Sequence, residues 1–213
     1  MKPTIALFLH HPRGSVQCGN GIIQALSEHY NFKIFTKHEL EREFFDGVDC
    51  VAFPGGMGDS DAYKWLFKIN GNRIRDYMDR GGRYLGICMG AYWAGSNYFN
   101  ILKNADAVQY ITRPGTDTKR PHAKAIKVTW DGVPERMYFY DGCALVGDEF
   151  QFETVARYAN GDPMAIIQNR IGIIGCHPES RQFWYDKNYL KPHWHYGSHH
   201  YLLLDFVNRL FQK

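Results

Sequence analysis

Cys88 lies in the segment Gly86-Ile87-Cys88-Met89-Gly90-Ala91-Tyr92, after a short apolar run and before a stretch of small residues. Glycines on both sides of a cysteine let the backbone turn sharply from a strand into a helix. At the start of a helix, the dipole and the unpaired N–H groups favour an anion. The pattern predicts a nucleophile, and the plain alternative is a buried structural cysteine. A nucleophilic cysteine needs a base, and the base needs an orienting group. Far downstream, the apolar run Ile171 to Cys176 ends in His177-Pro178-Glu179. With one residue between them, His177 and Glu179 could direct their side chains to one side of the chain, the carboxylate holding the imidazole tautomer. Alone, such a tripeptide carries little weight, but with the cysteine turn upstream it becomes a strong signal. A third segment, Pro54-Gly55-Gly56, also closes an apolar run. N–H groups of Gly55 or Gly56, with that of Met89, could form an oxyanion hole, with Gly90 and Tyr92 lining the same turn. Losing one such donor typically costs about 2.7–4 kcal/mol of barrier.

These residues must be positioned by strands and helices that the chain announces in order. Ile5 to His10 is a short apolar run, the mark of a strand buried on both faces, and Phe32 to Phe35, Asp49 to Phe53 and Arg83 to Ile87 are the next three strand candidates. Between them, helical spacing appears around Ile22, Ile23 and Leu26 as far as Tyr30, around Leu40, Phe44 and Phe45, and over Asn72 to Arg80, stopped by Gly81-Gly82. Met89 to about Asn97 reads as a small-residue helix. Alternating strands and helices predict a mostly parallel sheet with helices on both faces. The second half changes character: Ala125 to Thr129, Arg136 to Tyr140, Phe152 to Tyr158, Met164 to Gln168 and Ile171 to Cys176 are closely spaced strand candidates. Asn169-Arg170 suits a tight hairpin link. Tyr201 to Phe211 reads as a last amphipathic helix, and Asn104 to Ala123 as a surface excursion.

The 213 residues suit a single α/β domain spanning 1–213. A net charge of +3 with no long basic run gives no reason to expect nucleic acid. Five cysteines in irregular spacing, with no C-x-x-C pair, argue against a zinc knuckle or a disulfide framework and for a reducing compartment. No stretch approaches the roughly 18 apolar residues of a membrane span. The expectation is a cytoplasmic protein with no membrane partner, no metal and no cofactor.

The strand-PGG turn, then Gly81 to Tyr92 (GGRYLGICMGAY), then GCHPE at 175–179 resembles the class I glutamine amidotransferase-like superfamily. Within it, PGG followed by Asp59 and Tyr63 and the GG-Y-LGIC-GAY block are similar to the amidotransferase-like N-terminal domain of biotin-protein ligases and its free-standing relatives. The resemblance covers about residues 1–179. It implies a flavodoxin-like three-layer fold with an antiparallel, strand-rich second half, and a Cys88-His177-Glu179 triad working through a thioester. It also implies a small-molecule or amide substrate and, with no ATP-binding motif present, a separate synthetase or ligase subunit for any ligation. Nothing in the chain supplies the biotin ligase catalytic domain. True glutamine amidotransferases usually carry Gln four residues after the nucleophile, whereas this chain has Tyr92, so the substrate need not be free glutamine. A binding or regulatory module that kept the fold, and a cysteine peptidase-like relative, stand as the alternatives.

Other motifs read as structural. Gly19-Asn20-Gly21 lacks the third glycine of a dinucleotide fingerprint and predicts a flexible loop bordering the cleft, where Ser15, Gln17 and Asn20 could touch substrate. His193, His195, His199 and His200 lack the carboxylate or thiol spacing of a metal site and suit an aromatic helix entry. Asp59 and Asp61 suit helix capping rather than acid–base work. Cys176 suits the buried end of a strand, and the aromatics after residue 180 suit a lid over the cleft.

Overall fold

Five strands run parallel at the heart of the protein: β1 (Thr4–Phe8), β2 (Asn31–Phe35), β3 (Cys50–Phe53), β4 (Arg83–Ile87) and β11 (Ile171–Ile174), in the spatial order β2-β1-β3-β4-β11. The structure is a computed structural model and describes residues 1–9, 16–36, 38–39, 42–56 and 64–213. Beyond β11 the same sheet continues antiparallel through β10 (Pro163–Gln168), β9 (Glu153–Tyr158), β6 (Lys124–Trp130) and β7 (Val133–Phe139). A second sheet pairs β5 (Ala105–Gln109) with β8 (Cys143–Gly147).

β1, β3 and β4 are central strands because both of their faces are covered, whereas β2 lies at the sheet edge with Asn31, Lys33 and Ile34 exposed. Ile5, Leu7, Cys50, Ala52, Leu85 and Ile87 face one core, shared with α1 (Val16–Leu26) and α4 (Ser198–Phe211). Ala6, Phe8, Val51, Phe53 and Tyr84 face the other, shared with α2 (Lys64–Asp79) and α3 (Met89–Trp93). The period-2 alternation of a strand thus delivers apolar groups to two helical layers. This is the flavodoxin-like three-layer architecture. Among the described residues, no helix is long and apolar enough to cross a membrane.

The expected strands and the Asn169-Arg170 link are present, with Gln168 facing Ile171 across the hairpin. Three expectations are corrected. The helix after Cys88 ends at Trp93 rather than near Asn97, because Ser96 turns away to bond Asp106 through both its N–H (3.1 Å) and its hydroxyl (2.5 Å). The stretch from Asn104 is no mere excursion, since Ala105–Gln109 pairs antiparallel with Cys143–Gly147. The segment around Gly19 and Gly21 is helical, not a loop, as α1 already begins at Val16. Leu40, Ser15, Asp59, Asp61 and Tyr63 lie outside the described residues; Phe44 and Phe45 fall in a single 3-10 turn.

Candidate active site

The carboxyl ends of the parallel strands gather the chemistry-bearing residues. Leaving β1, the chain turns outward to β2 and then returns to the other side of β1 as β3. Such a switch in strand order opens a crevice at the strand ends. α1 starts after β1, Gly55 follows β3, Cys88 follows β4 and His177 follows β11.

Cys88 has φ +51° and ψ −106°, a region that non-glycine residues occupy at a cost of about 1–3 kcal/mol. Its backbone is clamped there: its N–H donates to Ile174 O (2.9 Å), and its carbonyl accepts from Ala91 N–H (2.9 Å) and Tyr92 N–H (3.2 Å). The Met89 and Gly90 N–H groups open the helix and have no intrahelical acceptor. The helix can seat this close because residue 90 is glycine. A methyl group at Gly90 would stand 1.8 Å from Phe53 O. Gly90 therefore sets α3 on the end of β3.

His177 and Glu179 are buried, at 4% and 0% exposure. Their side chains meet, Nδ1 to Oε1, at 2.8 Å. The His177 N–H donates to Tyr138 O (2.9 Å), and the edges of Tyr138 and Trp184 pack against the ring, with centroids 5.9 and 5.5 Å away. Burial opposes charging of the imidazole. The Cys88 thiol and the Glu179 carboxylate outweigh it, helped by hydrogen bonding to Cys18 and Cys88, so His177 titrates well above the usual histidine range. The Cys88 thiol itself donates to Tyr140 O (Sγ···O 3.7 Å).

Gly55 is where the three strand ends converge. A methyl group there would lie 2.7 Å from His177 Cε1, 3.0 Å from Cys18 Sγ and 3.5 Å from Cys88 Cβ. Cys18, in the first turn of α1, is thus a site residue that the sequence reading passed over. Its thiol is pushed up to about 11, chiefly by burial. The signal available was its place just after β1, at the same sheet edge as the other site residues. Gly56 is half-buried beside Gly55. The Tyr92 hydroxyl is committed to Asp141 O (3.1 Å).

The aromatics after residue 180 form a wall rather than a lid. Tyr185 and Leu190 are buried against Ala123 and Ala125, with Tyr138, Trp184 and Trp194 packed on them. The histidines brace the residue after Glu179. His195 Nδ1 accepts from Gly197 N–H (3.1 Å), which leaves the proton on Nε2, 3.1 Å from Ser180 O. His200 Nε2 donates to the same carbonyl (3.1 Å). His199 stacks on His195 with centroids 4.2 Å apart and reaches Glu135 Oε2 at 3.2 Å. Burial, then the neighbouring histidines, lowers His195 to about 3 and His199 to about 4.

A buried neutral histidine makes stability depend on pH. The depressed folded value means that its contribution is full above the unfolded value, about 6.5, and is lost as pH falls toward the folded one. His177, raised, acts in the opposite sense: its contribution is full below that unfolded value and fades as pH rises through the folded one. For His199 the loss amounts to roughly 3 kcal/mol at about pH 4. The urea midpoint is expected to fall between about pH 7 and about pH 4.5, and His199→Gln to flatten that slope. Equal slopes for wild type and variant would refute the assignment.

Residues 12–109 match the family model described as Biotin-protein ligase, N terminal. That stretch includes Gly55 and Cys88 and ends well before His177. No curated protein matches the chain. Among solved structures, the chain is similar to a glutamine amidotransferase from Thermotoga maritima (TM-score 0.69, 13% identity, all of both chains covered). It is also similar to PurLQS from Thermotoga maritima (0.67, 14% identity, 99% of this chain and 100% of that one). A third similar structure is a putative GMP synthase subunit from Thermoplasma acidophilum (0.65, 16%, 99% and 94%). At these identities the likeness is one of fold. The chain is class I glutamine amidotransferase-like in architecture and, over residues 12–109, biotin-protein ligase N-terminal-like in sequence.

Proposed function

We propose that the protein is a cysteine-dependent amidohydrolase or amidotransferase. The buried His177–Glu179 pair, 2.8 Å apart beside a strained Cys88, carries this reading. His177 takes the Cys88 proton, and the thiolate attacks an amide carbonyl carbon. The tetrahedral oxyanion is held by the Met89 N–H with that of Gly55 or Gly56. The C–N bond breaks, His177 returns the proton to the leaving ammonia or amine, and water or another acceptor resolves the thioester. Glu179 fixes the imidazole tautomer and balances its charge. The Tyr92 hydroxyl is spent on the Asp141 carbonyl, which favours an amide other than free glutamine. The solved neighbours that are amidotransferase subunits support a separate synthetase as the acceptor of ammonia, in a cytoplasmic setting.

The test is ammonia release from glutamine and from a panel of primary amides and peptides, by wild type and Cys88→Ala, with mass analysis of trapped acyl-enzyme. Expected is Cys88-dependent release from at least one amide and an acyl mass on Cys88. Burial pushes the Cys18, Cys50, Cys143 and Cys176 thiols up, so iodoacetamide should label Cys88 first. Turnover of nothing, with all five thiols labelled equally slowly, would favour a binding module and reject the enzyme.

A further inference from the structure

Cys18 takes no part in the chemistry proposed for Cys88, yet it stands inside the same site. Its sulfur, one ring nitrogen of His177 and one carboxylate oxygen of Glu179 lie within 4.8 Å of one another. Gly55 lets all three side chains crowd together, since a methyl group there would stand 2.7 Å from His177 Cε1 and 3.0 Å from Cys18 Sγ. A second observation points the same way. Glu179 Oε2 is fully buried and, among the described residues, has no hydrogen-bond partner, although buried polar atoms nearly always have one.

A thiolate, an imidazole and a carboxylate are the donors that zinc takes, at about 2.0–2.3 Å, which sets ligand-to-ligand separations of roughly 3.2–3.8 Å in a tetrahedron. The three donors need only small side-chain movements to reach that spacing. Hard cations such as magnesium and calcium prefer all-oxygen sets and are disfavoured by the sulfur. Two anionic ligands and one neutral imidazole also cancel the charge of a divalent ion, which a buried site requires.

We propose that Cys18, His177 and Glu179 form a binding site for a zinc-class divalent transition metal. The ion replaces two protons, one from the Cys18 thiol and one shared between His177 and Glu179, and both are released on binding. The fourth position is open to water or to the Cys88 sulfur. Because the ion takes the imidazole and carboxylate that the hydrolase needs, metal occupancy and turnover exclude each other. That consequence rests on the function proposed above, whereas metal binding does not.

The experiment is anaerobic titration of the reduced protein with Co²⁺, read by its sulfur-to-cobalt charge-transfer and tetrahedral visible bands, followed by displacement with Zn²⁺. Wild type is expected to saturate at about one equivalent. Cys18→Ser should lose the charge-transfer band and bind about 100-fold or more weakly, and Glu179→Gln should weaken binding similarly. Cys88→Ser, though inactive, should keep the band, which separates this proposal from the hydrolase reading. Without any variant, bound Zn²⁺ should protect Cys18 from iodoacetamide by mass mapping. The proposal is overturned by absence of a saturable band in wild type, by a band that survives Cys18→Ser and vanishes in Cys88→Ser, or by full alkylation of Cys18 in the metal-saturated protein.

Discussion

Replacing Cys88 by alanine is expected to lower amide turnover by on the order of 10⁴- to 10⁶-fold, and His177→Ala to do about the same. The double variant should be no worse than the poorer single one. In the proposed mechanism the two side chains act as one unit: without the imidazole nothing takes the thiol proton or returns it to the leaving amine, and without the sulfur the imidazole has nothing to activate. The residual rate should reflect the backbone donors at Met89 and Gly55, which both variants retain. Glu179→Gln should cost on the order of 10²- to 10⁴-fold, since the amide preserves the shape but not the charge opposite Nδ1. The readout is kcat/KM on whichever amide the wild type cleaves. A His177→Ala variant within about 10-fold of wild type, with its circular dichroism intact, would remove His177 from the mechanism.

The second large effect concerns folding. Gly90→Ala is expected to lose about 3–5 kcal/mol, a large share of the roughly 5–15 kcal/mol that holds a domain together. Its methyl group would be driven to 1.8 Å from the carbonyl oxygen of Phe53 and 2.8 Å from the Phe53 Cβ. Phe53 is fully buried at the end of a central strand, so neither backbone can retreat without disturbing the core. Gly132→Ala is the control: its φ is +81° but nothing lies within 4 Å of the added carbon, so it should lose only the conformational penalty of about 1–2 kcal/mol. Urea unfolding should show a lower midpoint with unchanged slope. A Gly90→Ala midpoint equal to that of Gly132→Ala would mean that α3 does not rest on β3 as closely as described.

The inner parallel strands β1, β3, β4 and β11 were readable because they are almost wholly apolar, as burial on both faces requires, whereas β2 at the sheet edge carries Lys33 and leaves Ile34 exposed. The Cys88 turn and the His177–Glu179 pair were readable because glycine spacing and residue type are local properties. Other features were not local. Ala105–Gln109 carries no strong alternation, and all but its last residue are half-buried; it is a strand because Cys143–Gly147 lies alongside it. The end of α3 depends on Asp106 capturing Ser96 from ten residues away. α1 begins early, with glycines inside it, because Gly21 must lie against Glu179, where a methyl group would meet the carbonyl oxygen at 2.3 Å. The same close approach carries Cys18 into the site, and no periodicity in the sequence encodes it. The histidines near the C-terminus were set aside for lack of metal-site spacing. Two of them, His195 and His200, share a backbone carbonyl at Ser180, which sequence patterns do not mark.

Cys88 and His177 are far apart along the chain, but their separation in space is fixed by a register of four residues, Ile171 opposite Tyr84 through Ile174 opposite Ile87, closed by the Cys88 N–H on Ile174 O. Between Trp93 and Pro163 the chain touches this pair at Tyr138 O, which accepts from the His177 N–H, and at Tyr140 O, which accepts from the Cys88 thiol. Away from those two contacts, lineages of this protein are free to lengthen, shorten or decorate the intervening loops and sheet edges. The seven positions from Ile171 to His177 are a fixed-length segment in which a single insertion or deletion would shift the base by about 3.3 Å and turn its side chain to the other face. Length variation across descendants should accordingly pile up on one side of the β10–β11 hairpin and stop abruptly at it.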